Sequence, residues 1–313
     1  MPNIVTVGDA SLRLSPVGKE RIETATDVRM RTAGTECSVA VAANRLGGEA
    51  IWLSKLPDSS LGRRVISELH EHGVATNVAW TDEGRQGLTF YEAAAPPRDT
   101  VMISDRADTA ASTITPGDLP MDLVQGAKAV FVSGSTMALS ATAADTAEAV
   151  LRAGGGEGGV TAFDLDYQPH VWEPSAARET LTRAFDAVDI LFANEGHLKT
   201  VLGKSGQARE VAHTVAAEHD FEMVIVTQSE HGAIAYYDGV IQDQESVETE
   251  VVDPSGQHEA FIGAFLARLL AGTDPDEALA YGVATAALTR TIPGPLTTVK
   301  REEVDALVDR IYR

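Results

Sequence analysis

The sequence of 313 residues has one cysteine, Cys37, so no disulfide can close within the chain and no cysteine-based zinc site can form. Cys37 lies in the apolar run CSVAVAANRL, where a small buried hydrophobe is expected in preference to a nucleophile. No stretch approaches the roughly 20 consecutive apolar residues that span a bilayer. The N-terminal MPNIVTVGD has no basic region ahead of an apolar core, which excludes a secretory signal and predicts a buried first strand and a cytoplasmic location. Positive charge is scarce: 25 Lys and Arg stand against 46 Asp and Glu, for a net charge of −21. That balance repels phosphate backbones and anionic membranes, so nucleic acid and lipid are excluded as partners. The GxxxxGK[ST] of a Walker-type nucleotide loop is missing, as are GxSxG and HExxH, and the histidines are not at metal-ligand spacing.

The acidic residues are spread along the chain, and arginine outnumbers lysine. The composition fits the solvated surface of a protein from a salt-rich cytoplasm, with an ordinary acidic cytosolic enzyme as the alternative. Either way, an anionic substrate must be met by local positive potential from arginines, backbone N–H groups or a metal ion.

Short Val-, Ile- and Phe-rich runs alternate with amphipathic stretches. NIVTVGD, AIWLSKL, AVFVSGS, GVTAFDLD, ILFAN and MVIVTQS are expected strands; SVAVAANRLGG, SLGRRVISELHEHG, AADTAEAVLRAGGG and QAREVAHTVAAEH have helical spacing. This alternation predicts a mainly parallel sheet covered on both faces, with ligands beyond the carboxyl ends of the strands, where GD, SGS, DLD, AN and TQS fall. Two segments break the rhythm. Residues 10–33 alternate polar and apolar, and residues 85–112 resemble a hairpin turning at Pro-Pro-Arg-Asp. Together they predict a small β-sheet lid on a single body spanning residues 1–313, and a homodimer that covers the lid's exposed face. The Gly-rich AGGGEGG at 153–159 is expected to be a helix-to-strand connection.

Near the C-terminus, VETEVVDPSG is expected to be a strand ending in a turn that runs into the helix EAFIGAFLARLLAG. A helix start offers unpaired N–H groups and the positive end of the dipole, and Gly256 permits several of those groups to face one anion. On the residues alone, Glu259 either caps this helix or acts as a base beside the anion.

These stretches resemble the ribokinase-like (PfkB) carbohydrate kinases along nearly the whole chain. TAGTECSVAVAANRLGG is similar to their first signature, with Ser38 where Asn is usual, and WLSKLPDSSLGRRVISELHEHGV matches the strand, turn and helix that follow. VDPSGQHEAFIGAFL overlies the second signature, Asp-Thr-x-Gly-Ala-Gly-Asp-Ala-Phe. FDLDYQPHVW resembles the FDxNxRxxLW run of 2-keto-3-deoxygluconate kinases and fructokinases, with Asp166 and Gln168 replacing Asn and Arg.

The resemblance implies a ribokinase-like three-layer α/β/α fold and transfer of phosphate from ATP, with Mg2+, to a sugar hydroxyl. By position, Gly256, Gln257 and His258 form the anion hole and Glu259 replaces the catalytic aspartate. Asp9, Gly34, Ser38, Arg106, Asp166 and Gln168 fall on the sugar side, Arg106 being either a carboxylate ligand or a solvated lid charge. Asn194, Thr227, Gly232 and Gly256 fall on the nucleotide side, with Ser229 where glycine is common. Asn194 and Glu195 are the metal-organising pair, because His197 stands where the family has Glu. The implied substrate is 2-keto-3-deoxygluconate or a related keto-sugar acid, with fructose next, and the departures in the second signature leave a sugar- or nucleotide-binding protein of impaired turnover as the competing reading.

Overall fold

The computed structural model describes residues 3–95, 97–156, 158–228 and 231–313. Met1 and Pro2, Pro96 of the expected lid turn, Glu157 of the glycine-rich connection, and Ser229 and Glu230 lie outside the described residues.

In chain order the strands are β1 (Ile4–Val7), β2 (Ser11–Pro16), β3 (Val28–Ala33), β4 (Ala50–Pro57), β5 (Ala75–Thr81), β6 (Gly87–Glu92) and β7 (Val101–Asp105). They continue with β8 (Ala129–Ser133), β9 (Val160–Asp164), β10 (Ile190–Asn194), β11 (Met223–Thr227), β12 (Ala233–Tyr237) and β13 (Val240–Gln244). Nine of these make one sheet, ordered β13-β12-β11-β10-β9-β8-β1-β4-β5. Every neighbouring pair from β11 to β5 is parallel, and β12 pairs antiparallel with both β11 and β13.

The apolar runs are nearly continuous because both faces of this sheet are covered. Ile4, Phe131, Phe192 and Ile225 point into a core shared with the helices Thr35–Arg45, Gln257–Leu270 and Pro275–Thr289. Val5, Val130, Leu191 and Val224 point into a second core shared with Ala141–Ala153 and Ala208–His219. The result is a three-layer ribokinase-like α/β/α body. Among the described residues no helix is long and apolar enough to cross a membrane.

From β1 the chain builds outward in both directions, through β4 and β5 on one side and β8 onward on the other. A crevice opens where strand order reverses, at the carboxyl ends of β1 and β8. Over it stands the second sheet, ordered β3-β2-β6-β7, in which β2 and β6 pair in parallel. Its period of two divides the lid cleanly. Arg13, Thr89, Tyr91, Met102 and Ser104 face the crevice, whereas Leu14, Met30, Phe90 and Ile103 are in register on the other face.

One expectation fails. VETEVVDPSG is not a strand: among the described residues the last strand ends at Gln244, and residues 245–252 are not part of either sheet. Alternating residues cannot make a strand without a neighbour to pair with. This segment is instead tied to a helix end, where Arg290 donates to the Val247 carbonyl (2.5 Å) and to Thr249 Oγ1 (2.6 Å) while its own carbonyl accepts from Val252 and Asp253 N–H.

Candidate active site

The helix Gln257–Leu270 starts where two cavities meet. Its first i→i−4 bond is the 2.8 Å contact from Ala260 N–H to the Gly256 carbonyl, so the N–H groups of Gln257, His258 and Glu259 precede the intrahelical ladder. Gly256 is required here on two counts: its φ is 75°, and a Cβ would lie 2.1 Å from the Pro295 carbonyl oxygen.

The lid-side cavity, of about 260 Å3, has Asp9, Gly34, Ser38, Arg106 and Gln168 in its wall, together with Arg13, Thr35, Glu36, Ser135 and Ser255. Gly34 has extended backbone, but a Cβ there would sit 2.5 Å from the Asp9 carbonyl oxygen, so the close approach of β1 demands glycine. Arg106 Nε donates to Asp9 Oδ2 at 2.9 Å and Nη1 to Ser135 Oγ at 2.9 Å. Arg13 reaches out of the lid to Asp253 (2.9 Å) and Ser255 (2.6 Å) and stacks on Tyr91, 4.3 Å from the ring centre. Asp253 is partly buried, which raises its pKa; the Ser255 hydrogen bond and the Arg13 charge more than offset this and hold it below the usual carboxylate value. On the floor, Glu36 Oε1 accepts from Ser133 N–H (2.9 Å), Ser133 Oγ (2.7 Å) and Thr136 Oγ1 (2.7 Å). Burial nevertheless pushes its carboxyl up to about 7.

The sheet-side cavity, of about 390 Å3, has two characters. Val247, Phe261, Val283, Ala286 and Ala287 make an apolar slot, while Asp166, Asn194, His197, Thr227, Gln257 and His258 make a polar end. Asp166 therefore stands on this side, although its partners face the other: it accepts from Thr35 Oγ1 (2.7 Å) and Gln168 Nε2 (2.9 Å). Its φ of 29° lies in the left-handed region, and burial together with Asp164 raises its pKa. His197 Nδ1 accepts from Tyr167 N–H (3.3 Å), and burial lowers its pKa. Asn194 caps the next helix by accepting from Gly196 N–H (2.8 Å). Glu195 is not brought into the cavity wall; its carboxylate accepts from Lys199 Nζ at 2.7 Å. Gly232 lines the same cavity.

Among the described residues Glu259 alone lines both cavities. It borders open space on two sides and is enclosed elsewhere; the enclosure raises its pKa to about 7 against the pull of the neighbouring His258 charge. His258 Nε2 lies 3.0 Å from Asp164 Oδ2, and Nδ1 lies 3.3 Å from Thr227 Oγ1. Burial alone would depress the imidazole, but the Asp164 charge and hydrogen bond, with Glu259 and Asp166 behind them, carry its pKa up to about 9. A carboxylate able to take a proton at neutral pH thus stands between two compartments, beside N–H groups that precede the helical ladder and a charged imidazole.

The model of the pfkB family of carbohydrate kinases matches residues 1–301. The chain belongs to this family. It is a sugar kinase. The 2-dehydro-3-deoxygalactonokinase of Haloferax volcanii is 48% identical over 305 residues, covering 97% of this chain and 96% of that protein. The 2-dehydro-3-deoxygluconokinase of Thermoproteus tenax is 27% identical over 292 residues, covering 92% and 88%. The crystal structure of 2-dehydro-3-deoxygluconokinase from Thermotoga maritima is similar with a TM-score of 0.91 at 28% identity, covering 98% of each chain.

Sequence reasoning about this kinase missed Arg13, Glu36 and Asp253, and reached Ser135 only as the last residue of the SGS stretch at a strand end. Glu36 left a signal, a carboxylate just ahead of the apolar run from Val39 to Ala43 in the same helix. Arg13 left none, because a polar residue between Leu12 and Leu14 has the pattern of a solvent-facing strand position.

Proposed function

We propose that this kinase transfers the γ-phosphate of ATP to a hydroxyl of a 2-dehydro-3-deoxy sugar acid, with Glu259 as the base. The observation that carries the reading is the place of Glu259 as the shared wall of the two cavities. The sugar lies under the lid, where the Asp9 carboxylate accepts from hydroxyls and Arg106 and Arg13 supply positive charge for the acid group. The adenine enters the apolar slot and the phosphates point to the start of the helix Gln257–Leu270. Glu259 takes the proton of the attacking hydroxyl while the N–H groups of Gln257 and His258 meet the charge developing on the phosphate.

Magnesium fits this wall as an ion carried in by the phosphates. Asp166 already accepts through both oxygens, Glu195 is held by Lys199, and among the described residues no group of three His, Cys, Asp or Glu side chains could hold a metal. Asn194 would then meet the ion's waters, and the ion would neutralise charge on the phosphates. Support for a sugar acid over fructose comes from Arg13 and Arg106 together, since Gln168 has lost the family's arginine. The lid face bearing Leu14, Met30, Phe90 and Ile103 is the surface for a second copy of the chain.

An ADP-release assay in high potassium chloride, run on epimeric 2-dehydro-3-deoxy sugar acids beside fructose, tests the reading. Turnover is expected on the acids with higher kcat/KM than on fructose. No turnover on any of them would sink it.

A further inference from the structure

His258 occupies a position where the family's second signature has glycine, so this chain carries a side chain where none is usual. The ring is not loose. It bridges the carboxyl ends of β9 and β11, with Asp164 on one side and Thr227 on the other, across the end of β10 between them. Asp164 is fully buried and is the only acceptor within reach of Nε2 among the described residues, so Nε2 carries hydrogen; with Nδ1 facing the Thr227 hydroxyl, both nitrogens of a charged ring have an oxygen to donate to. One flank of the ring remains on the wall of the sheet-side cavity, next to Gln257 and Glu259.

We propose that the His258 side chain is a built-in cation of the nucleotide cavity, whose charge attracts the terminal phosphates through the exposed flank of the ring and sets them against Glu259. The inference rests on the reading of the cavity as a nucleotide site and extends it from backbone amides to a charged side chain. Its physical need is plain. Asp164, Asp166 and Glu259 face this ring, and without a counter-charge they would repel a triphosphate in a protein whose net charge is already −21. The other basic groups on the wall serve less well. The His197 ring is turned to Tyr167 and held toward its neutral form by burial, and the Arg290 guanidinium is spent on the loop at Val247 and Thr249. A clamped imidazolium also loses little freedom when the phosphates arrive.

The test separates phosphate recognition from adenosine recognition. Binding of adenosine, AMP, ADP and a non-hydrolysable ATP analogue is measured by calorimetry, with magnesium, on the wild type and on His258→Gln and His258→Lys. For the wild type, affinity is expected to climb with each added phosphate. In His258→Gln the gain from adenosine to the triphosphate should shrink by about 10-fold while adenosine affinity holds, and His258→Lys should recover part of it. Equal losses for adenosine and triphosphate, or an unchanged phosphate gain, would overturn the proposal. If His258→Gln does not fold, the wild type alone decides: its phosphate gain should fall as pH rises through about 9, where the ring loses its proton, and adenosine affinity should stay level. A flat phosphate gain up to pH 10 is the contrary result. A wild type that binds no adenine nucleotide at all would instead remove the nucleotide-site reading on which this rests.

Discussion

The two cavities that share Glu259 neutralise their carboxylates in different ways. Under the lid, arginines do it: Arg106 is paired with Asp9 and Arg13 with Asp253, each at 2.9 Å. On the sheet side a histidine does it, His258 against Asp164. An arginine keeps its charge at any relevant pH and offers a planar fork of donors that matches carboxylate geometry. An imidazole is compact enough to sit within the first turn of a helix and leave room for phosphates. The comparison also shows where local constraint concentrates. Gly256, expected on the nucleotide side, lines the lid-side cavity instead, while Gln257 and His258 after it line the sheet-side one, and at this junction the backbone has no latitude.

Removing the shared group should do most damage. Glu259→Gln is expected to lower kcat by about 10^3-fold with sugar and nucleotide binding within a few-fold of wild type, in steady-state assays and calorimetry. Retained turnover would take Glu259 out of the base role and dissolve the link between the compartments. For the unaltered enzyme, kcat/KM should rise with pH through about 7 as Glu259 loses its proton. A rate that is flat from pH 6 to 8 would contradict this.

Next in size is Gly256→Ala, which collides with Pro295 and strains a positive φ. A destabilisation of about 2 kcal/mol in urea unfolding is expected, with both ligands bound more weakly. Loss on one side only would mean the wall is not shared.

Arg106→Leu should act on one compartment. KM for the sugar is expected to rise by about 10-fold or more while affinity for the ATP analogue stays put, because the partner left unpaired is Asp9. An equal effect on both ligands would erase the distinction between the cavities.

The smallest effect concerns Glu36. Its folded pKa of about 7 lies above the ordinary carboxylate value of 4.5, so the folded state holds this proton over that interval and the unfolded state does not. Stability from this group is complete below pH 4.5 and is lost as pH rises through about 7. Glu36→Gln should therefore flatten the fall of Tm between pH 4.5 and 7, as followed by circular dichroism. An unchanged slope would assign that fall to other groups, Glu259 first.

Most of the body was legible from local pattern. The strands that end in Asn194 and Thr227, and the one that stops two residues before Asp9, are short apolar runs closed by polar residues, and a helix entered through Gly256 follows from glycine before an apolar stretch. The failure at VETEVVDPSG is instructive for the same reason: alternation gives extended backbone, but a strand exists only where a neighbour supplies the other half of each hydrogen bond. Glu195 shows the limit at the site. Its place next to Asn194 drew it toward the nucleotide, yet Lys199, one helical turn on, holds its carboxylate.

The order of residues by itself determined the kind of each main element, the strand ends at which chemistry collects and the helix start that faces it, because these depend on residues a few positions apart. Tertiary structure alone decided that Asp166 stands on the sheet side of Glu259, that Arg13 turns inward and that Glu36 lies beneath the lid-side cavity. It alone joined His258 to Asp164 across 94 positions of chain. Burial and the choice of hydrogen-bond partner belong to the packed chain as a whole, and they set which of these groups carry charge.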